Sequence, residues 1–497
     1  MEIARWLART FRIKSFATIR RRSARGHRCP RRPPRHRFNM QLDRTFEQSA
    51  PHPKVVVRVH RQTISRTPGS LSHPRLRLFD DNLPPEVLDQ IVANVFAIVP
   101  YAVWRKRWHD LFAREKANPF IVEYLDQQFR IERNFQVIFA SRLEHKAYPG
   151  VDDAFREVVS FLHLLLEVHR GLSAQGQKNL VGRLHHALRD ESGLIPLEFE
   201  LVTASYLRHH GARVEFTDMD GDQQFDLLAT ILGVEIEVDC KTTSVDVVGM
   251  RLHLPRVADF ANRLDSIKKE CLEWGGGHVI RVTIPGNLEG NIEPLVADAN
   301  LAIHEIFQKG KPGDTIEMPT ATIRIDFFDL SETPFLGQHH VNSVDLAMML
   351  HDRFQIDTNS AITFCYSPHR AVVAFVLESK KPNRPIEALY KQLKRSAEHQ
   401  FTGRRPACLC VRLRDLDDMI LRRLTHSDRS GLRYIATRVC SGPKRAHMAG
   451  VTYFTINGQR VLAVHGNDLV EGTVSYFPNT RHEHHAAFTA LFKSLPD

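Results

Sequence analysis

The chain has 497 residues, a formal net charge of +11 and a pI near 9.4. This length is enough for two or three domains, and because no run of about 18 apolar residues exists, the sequence predicts no membrane span. Seven cysteines without a C-x-x-C pair argue against a disulfide framework and favour a reduced compartment, the cytoplasm.

The excess positive charge lies in the first 40 residues. Residues 1–40 carry thirteen Lys or Arg and one acid, a net charge of +12, which leaves −1 for residues 41–497. We expect this Arg-rich and Pro-rich tail to be disordered. Its interpretations are a mitochondrial-type transit peptide, a basic arm on nucleic acid, or translated upstream sequence before a true start at Met40. The last is favoured because residues 41–82 also read as an irregular segment.

Residues 83–190 are predicted to form a helical domain. Stretches such as PEVLDQIVANVFAIV and AFREVVSFLHLLLEVHRGL repeat apolar residues with a period of about 3.6. Within this domain, the segment WRKRW places Trp104 and Trp108 one helical turn apart beside three basic residues. Stacking on nucleic-acid bases is one interpretation. Two tryptophans at this spacing are more often core residues, and we favour that interpretation.

The segment IPLEFELVTASYLRHHGARVEF predicts a helix and a short strand. Pro196 opens the helix and Gly211 closes it. Glu200 shares the apolar stripe of this helix, so its carboxylate is predicted to point inward, where it needs a partner. A helix-start acid stabilised by the helix dipole is the alternative. Glu198 lies on another part of the helix and is the weaker candidate.

Residues 225–241, FDLLATILGVEIEVDCK, predict a β-hairpin that turns at Leu232 and Gly233. A two-residue loop at this point sets Asp226 opposite Asp239. In that register one face of the hairpin is apolar or thiol throughout, and the other face carries the acids. Like charges directly opposite each other destabilise a sheet. A bound cation would remove this repulsion.

An acid two residues before a lysine closes the hairpin, at Asp239 and Lys241. Two other triplets of this kind occur, at 144–146 and 378–380. The triplet alone therefore decides nothing, and an amphipathic hairpin with a solvated charged face is the alternative. The inward acid on the preceding helix and the opposed aspartate supply the context that favours a functional site.

This part of the chain has, in order, a helix with an inward acid, a strand, an aspartate, a hairpin and an Asp-x-Lys triplet. That order resembles the core of the PD-(D/E)xK nuclease superfamily, the restriction-endonuclease-like fold. The resemblance covers roughly residues 195–300. Phe225 stands where the family name has proline, and aspartate replaces the commoner glutamate at 239. Neither departure harms the chemistry, because a hard cation needs only oxygen ligands within reach.

By position, the resemblance implies four catalytic residues. Asp226 and Asp239 would ligate Mg²⁺ or Mn²⁺, with the backbone carbonyl of Cys240 as a further ligand. Lys241 would orient or help deprotonate the attacking water and contact the scissile phosphate. Glu200 would hold a metal-bound water or a second cation. One or two ions are equally compatible with this pattern.

The function implied by the resemblance is that of an endonuclease, which cleaves DNA by metal-assisted hydrolysis of a phosphodiester bond. RNA is an alternative substrate, and pairing of two chains into a homodimer is left open. One other possibility is a catalytically inactive module of the same fold that binds nucleic acid or protein. Another is a hydrolase of a different phosphate ester. The joint presence of all four residues favours catalysis.

Residues 191–330 are predicted to hold the nuclease-like α/β/α core, and residues 331–497 a mixed α/β region. Whether the strand ACLCVRL joins the core sheet is left open. A basic cluster surrounds the helix before this strand. A solvated charged face is the commoner interpretation of such a cluster, and contact with nucleic acid is the alternative. Its members are Lys391, Lys394, Arg395, Arg404 and Arg405.

Several motifs are excluded. Cys408 and Cys410 share one face of ACLCVRL and are interpreted as core residues. The histidines of RHEHHAAF do not make H-E-x-x-H, and no G-x-x-x-x-G-K-[ST] loop occurs. A zinc protease and a P-loop NTPase are therefore not indicated.

Overall fold

The computed structural model describes most of the chain from residue 85 onward. The predictions for residues 1–40 and 41–82 lie outside the described residues. The described ranges are 85–143, 153–221, 223–243, 252, 254–309, 313–332, 343–356, 360–367, 371–381, 385–413, 431–454 and 474–492. Within these ranges the fold is mixed α/β, as predicted, with fifteen α-helices and two sheets.

The described residues 85–143 and 153–190 are mostly helical, as predicted from their periodicity. Trp104 and Trp108 are buried, and the Trp104 ring packs edge-on against Phe135 at 4.8 Å between centroids. The tryptophans are therefore core residues, and the prediction is confirmed. The helices are α1 (Pro85–Ile98), α2 (Tyr101–Ala117), α3 (Val122–Gln128), α4 (Arg130–Leu143), α5 (Asp153–Gly171) and α6 (Ala174–Ala187), with a 3-10 turn at Pro119–Ile121.

Among the described residues, no single helix is long and apolar enough to cross a membrane. By length and composition alone, one pair of consecutive helices passes the same test, Glu86–Ile98 and Tyr101–Ala117, which meet at a bend of 95°.

The first sheet has six strands and contains the predicted hairpin. Its strand order is β1-β2-β3-β9-β10-β11, with β3, β9 and β10 parallel. The strand ACLCVRL is β9 and lies beside the hairpin, which answers the question left open by the sequence. The bounds are β1 (Arg213–Phe216), β2 (Leu227–Ile231), β3 (Val234–Thr243), β9 (Ala407–Leu413), β10 (Met448–Phe454) and β11 (Val474–Pro478).

The hairpin has the predicted register. Ile231 pairs with Val234 and Leu227 with Val238. Leu232 and Gly233 form the loop with positive φ angles of 50° and 75°. Two positive φ values match the twist of the flanking strands.

Helices cover both faces of the six-stranded sheet. α7 (Ile195–His209) and α15 (His485–Phe492) pack on the face that carries Cys240, and α13 (Pro385–His399) and α14 (Leu432–Cys440) pack on the other. The helix predicted to begin at Pro196 is α7. The hairpin thus lies inside a three-layer structure, and Asp239 is 0 % exposed. Asp239 is therefore not part of a merely solvated charged face.

The second sheet has five strands in the order β5-β6-β4-β8-β7 and lies between β3 and β9 in the chain. Its strands are β4 (Gly276–Ile284), β5 (Thr315–Glu317), β6 (Thr322–Phe328), β7 (Ala361–Ser367) and β8 (Ala371–Ser379). Four helices pack on this sheet, α9 (Leu254–Arg263), α10 (Asp265–Trp274), α11 (Glu293–Lys309) and α12 (Ser343–Phe354). The remaining helix, α8 (Thr217–Asp220), precedes β2 of the first sheet.

This arrangement corrects the predicted domain boundaries. The ranges 191–330 and 331–497 each contribute strands to both sheets, because β9 returns to pair with β3 after the second sheet is complete. This difference arises from tertiary packing, which local periodicity does not encode.

Candidate metal centre

Four carboxylates meet where the hairpin opens. Asp226 precedes β2, Asp239 lies within β3, Glu200 projects from α7, and Asp218 lies on α8. Glu200 and Asp239 are buried, whereas Asp218 and Asp226 are partly exposed. The site therefore has a buried floor and an opening to solvent.

Asp226 is held by the backbone on both sides. Its Oδ2 accepts a hydrogen bond of 2.6 Å from the N–H of Cys240, and its carbonyl accepts one of 3.1 Å from the N–H of Thr217. These two bonds fix the position of Asp226 at the open end of the hairpin. The role of the Cys240 carbonyl as a further ligand stays a prediction.

Asp239 and Lys241 are paired. Lys241 Nζ donates to Oδ1 of Asp239 over 2.8 Å, and the two side chains are 25 % and 1 % exposed. The other oxygen, Oδ2 of Asp239, is buried and faces no donor among the described residues. The Asp226 and Asp239 carboxyls lie close enough to share a hydrogen bond when one is protonated.

Glu200 points inward, as predicted, and its partner is Arg183 of α6. The Nη2 atom of Arg183 donates to both oxygens of Glu200 at 2.6 Å, and Nη1 donates to Oδ2 of Asp218. Sequence reasoning missed both Arg183 and Asp218. Asp218 had a local signal, the acid-rich TDMDGD just before the hairpin, whereas nothing in the sequence around Arg183 links α6 to this site.

The single turn α8 is tied to α6. Asn179 donates to the carbonyl of Met219 over 2.7 Å, and the Ser173 hydroxyl donates to Asp220 over 2.6 Å. These bonds fix Asp218 relative to Arg183. Arg183 and Asp218 are thus held in position by the contact between α6 and α8.

Burial and mutual repulsion dominate the electrostatics of the acids. Burial raises the pKa of Asp239 to about 7, and the neighbouring Asp226 adds to the rise. Burial raises the pKa of Asp218 to about 6, although Arg183 opposes the shift. Burial and then Asp226 also raise the pKa of Glu200. Ionised carboxylates are therefore disfavoured in this space unless more positive charge is supplied.

The basic groups respond in the opposite direction. Burial lowers the pKa of Lys241, but Asp239 and Asp226 outweigh it and the net pKa is raised. Burial likewise lowers the pKa of Arg183, and Glu200 and Asp218 produce a net rise. Both side chains are therefore cationic at neutral pH.

Two sets of carboxylates share Asp226. Ligand atoms of Glu200, Asp218 and Asp226 all lie within 4.8 Å of one another. Asp239 stands outside that group, next to Asp226. The predicted acids are therefore brought together, with Asp218 as an additional member. Carboxylate and carbonyl oxygens are the ligands that hard divalent cations prefer, and the undonated Oδ2 of Asp239 is an oxygen that such a cation would satisfy. The residues present fit a magnesium or manganese ion.

Glu198, the weaker candidate, lies away from this site. It forms a buried ion pair with Arg412 of β9, whose guanidinium stacks over Phe199 at 4.7 Å. Glu198 therefore joins α7 to the sheet and is not a ligand of the candidate centre.

The predicted nucleic-acid contacts are mostly engaged in ion pairs. Lys391 pairs with Glu387 at 3.1 Å, and Arg405 pairs with Glu235 at 2.8 Å. Lys394 lies 4.0 Å from Glu398, and Arg395 and Arg404 are exposed. Glu235 belongs to the opposite end of β3 from Lys241, so Arg404 and Arg405 lie away from the metal centre.

The remaining cysteine and histidine predictions concern structure. Cys408 and Cys410 are buried core residues with their Sγ atoms 3.8 Å apart, as predicted. The histidines of RHEHHAAF precede and begin α15.

Comparison of the chain with protein-family models, with characterised proteins and with solved structures found no match. The geometry of the site is therefore what bears on function.

Proposed function

We propose that the chain is a metal-dependent endonuclease that hydrolyses phosphodiester bonds in DNA, built on a restriction-endonuclease-like core. The observation that carries the proposal is the meeting of Asp226, Asp239 and Lys241 at the open end of the hairpin, where Oδ2 of Asp239 is buried and has no donor among the described residues. A buried and undonated carboxylate oxygen is costly. A divalent cation at this point would remove that cost.

The layers around the site support the finer fold proposal. The hairpin lies in a mixed sheet with α7 on one face and α13 on the other. α7 precedes the sheet in the chain and carries the inward Glu200. The order of elements, helix, strand, aspartate, hairpin and Asp-x-Lys, is the one expected for this nuclease core.

Each side chain has a role that its position allows. Asp226, Asp239 and the Cys240 carbonyl would hold one Mg²⁺ or Mn²⁺. When bound, such an ion supplies an activated water and stabilises charge that develops on the phosphate. Lys241 is partly exposed beside Asp239, so its ammonium group can orient the attacking water and contact the scissile phosphate. Glu200, Asp218 and Arg183 line the adjoining side of the site.

The reduced compartment predicted from the sequence belongs to this proposal. All six described cysteines are free, and four of them are buried, namely Cys240, Cys271, Cys408 and Cys410. Free thiols in this number are typical of proteins in the cytoplasm.

One observation favours a second candidate, a module that binds nucleic acid without cutting it. Arg183 already neutralises Glu200 and Asp218 without any metal. In that case the pairs in the site would serve stability alone. The two candidates separate by whether cleavage occurs and whether it depends on Asp239 and Lys241.

The test is cleavage of linear, circular and branched DNA, with RNA as a further substrate, with and without Mg²⁺. We expect cleavage only with metal, and a loss of about 100-fold or more in Asp239→Asn and Lys241→Ala. Lys380→Ala is the matched control, because Lys380 closes another acid-x-lysine triplet, is exposed, and directly follows β8 of the second sheet. This control should cleave like the wild type.

Three outcomes decide between the candidates. Metal-dependent cleavage that disappears in both site variants supports the nuclease. Cleavage that persists in folded Asp239→Asn and Lys241→Ala contradicts the site. Binding of DNA without cleavage in the wild type supports the module.

A further inference from the structure

We propose that Arg183 acts as a built-in cation in place of a second metal ion, so that the centre binds a single divalent ion. The inference rests on the proposed function and deepens it, since the pattern of residues is compatible with one ion or two. It assigns to a residue of α6 a role that the Asp-x-Lys pattern does not contain.

The first argument is the occupancy of the ligands. Glu200, Asp218 and Asp226 form a group of carboxylates compact enough for one cation, with ligand atoms within 4.8 Å of one another. Arg183 takes both oxygens of Glu200 and one oxygen of Asp218. A guanidinium offers five donors in a planar fork and forms strong bonds of this bidentate type. Three of the carboxylate oxygens that a second ion would need are therefore already engaged by Arg183, and of these two side chains only Oδ1 of Asp218 accepts no hydrogen bond among the described residues.

The second argument is what Arg183 leaves open. It makes no hydrogen bond with Asp239, whose Oδ2 faces no donor among the described residues. Asp226 is bound by the N–H of Cys240 on one oxygen and is partly exposed. Asp226 and Asp239 together therefore offer a single ion oxygen ligands that Arg183 does not occupy.

The third argument is charge. Four carboxylates and two basic side chains surround the site, which leaves two negative charges when all six groups are ionised. One divalent ion brings this set to neutrality. A second ion would add an uncompensated charge of +2 in a partly buried space, which is unfavourable in a low-dielectric environment.

Hydrogen bonds between two helices also hold Arg183 in position beside the carboxylates that it would neutralise. α6, which carries Arg183, is bound to α8, which carries Asp218, through the Asn179 and Ser173 hydrogen bonds. Only 31 % of the Arg183 side chain is exposed. The cation is thus part of the scaffold, and its charge does not depend on the concentration of metal.

The experiment counts bound Mn²⁺ by electron paramagnetic resonance in the full chain, titrated to saturation without nucleic acid. Ions that bind elsewhere are subtracted with the count of the double variant Asp226→Asn/Asp239→Asn. We expect one ion in the wild type, two in Arg183→Gln and one in Arg183→Lys, which keeps a positive charge. Arg189→Gln, an exposed arginine just after α6, is the control and should bind one ion.

Each count has a definite meaning. Two ions in the wild type, or one ion in a folded Arg183→Gln, overturn the inference and leave the proposed nuclease intact. No ion in the wild type overturns the metal centre itself, and with it the proposed function. If Arg183→Gln does not fold, as shown by circular dichroism, the wild-type count still decides between one ion and two.

Discussion

The backbone N–H of Cys240 donates a hydrogen bond of 2.6 Å to Oδ2 of Asp226. The bond ties the residue before β2 to the strand that carries Asp239, so two carboxylates are held together before any cation arrives. When both carboxylates are ionised, their mutual repulsion opposes folding. The free energy of this repulsion should be measurable as a dependence of stability on metal.

We expect Mg²⁺ to raise the melting temperature of the wild type and EDTA to reverse the effect. At about 100 times the dissociation constant, an ion that binds only the folded state adds about 2.7 kcal/mol to the free energy of unfolding. Asp239→Asn should lose this response. In EDTA the variant should be at least as stable as the wild type, because a repulsive charge has been removed.

Differential scanning calorimetry at several Mg²⁺ concentrations checks this prediction. Asp352→Asn, an exposed aspartate on α12, is the control and should keep the full response to Mg²⁺. An undiminished response in Asp239→Asn would mean that the stabilising ion binds elsewhere.

The loop of the hairpin offers a test of its backbone conformation. Leu232 has a φ of 50°, a left-handed conformation that destabilises the folded state for a leucine. The residue is 74 % exposed, so little apolar burial offsets this cost. Asparagine tolerates this conformation better. We expect Leu232→Asn to raise the free energy of unfolding by about 0.5 to 1 kcal/mol, and Gly233→Ala to lower it by about 1 kcal/mol.

Urea unfolding of both variants provides the measurement. Gly233 has open space around it, so any loss in Gly233→Ala reports backbone strain and not a steric clash. A destabilised Leu232→Asn would show that the leucine side chain contributes contacts that its exposure does not reveal.

A buried acid that is not a member of the candidate metal centre predicts a dependence of stability on pH. Glu132 of α4 is 0 % exposed, and burial, partly offset by Arg107, raises its pKa from 4.5 to about 7. A group whose pKa is raised in the folded state stabilises the fold at pH values below its unfolded pKa. This contribution to stability is lost as the pH rises through its folded pKa. The full contribution is about 3 kcal/mol.

We therefore expect the wild-type free energy of unfolding to fall as pH rises from about 5 to 8, and to fall less steeply in Glu132→Gln. Urea titrations at each pH give the slope. Glu167→Gln, at a side chain that is 55 % exposed, should keep the wild-type slope. An identical slope in Glu132→Gln would show that other groups carry the pH dependence.

The ion pair between Glu198 and Arg412 predicts strong coupling between α7 and β9. Both side chains are buried, at 6 % and 1 % exposed. Removal of one partner leaves a buried charge alone and is expected to cost about 3 to 5 kcal/mol, whereas an apolar pair of similar volume is often tolerated. Glu198→Leu and Arg412→Met should each destabilise strongly, and the double variant should be more stable than either.

A double-mutant cycle by chemical unfolding measures this coupling. If the two single losses simply add in the double variant, the pair does not act as a unit. The same cycle on Lys391 and Glu387, an exposed pair on α13, should give a coupling below about 1 kcal/mol.

What the amino-acid sequence determined by itself was local. Alternation of side chains in FDLLATILGVEIEVDCK and a two-residue loop leave one register that keeps the apolar face together, and β2 and β3 adopt it. The apolar stripe of α7 likewise directs Glu200 inward. These features depend on residues a few positions apart, whose geometry is set by the period of a strand or a helix.

Only the tertiary structure decided which groups meet those side chains. Arg183 reaches Glu200 from a helix that the hairpin pattern does not include, and Asp218 joins through a single turn of helix. The strand β9 pairs with β3 after the intervening second sheet, which no boundary drawn along the sequence anticipated. Such partners are chosen by packing and charge between distant segments, and the pattern of residues within any one segment carries no record of that choice.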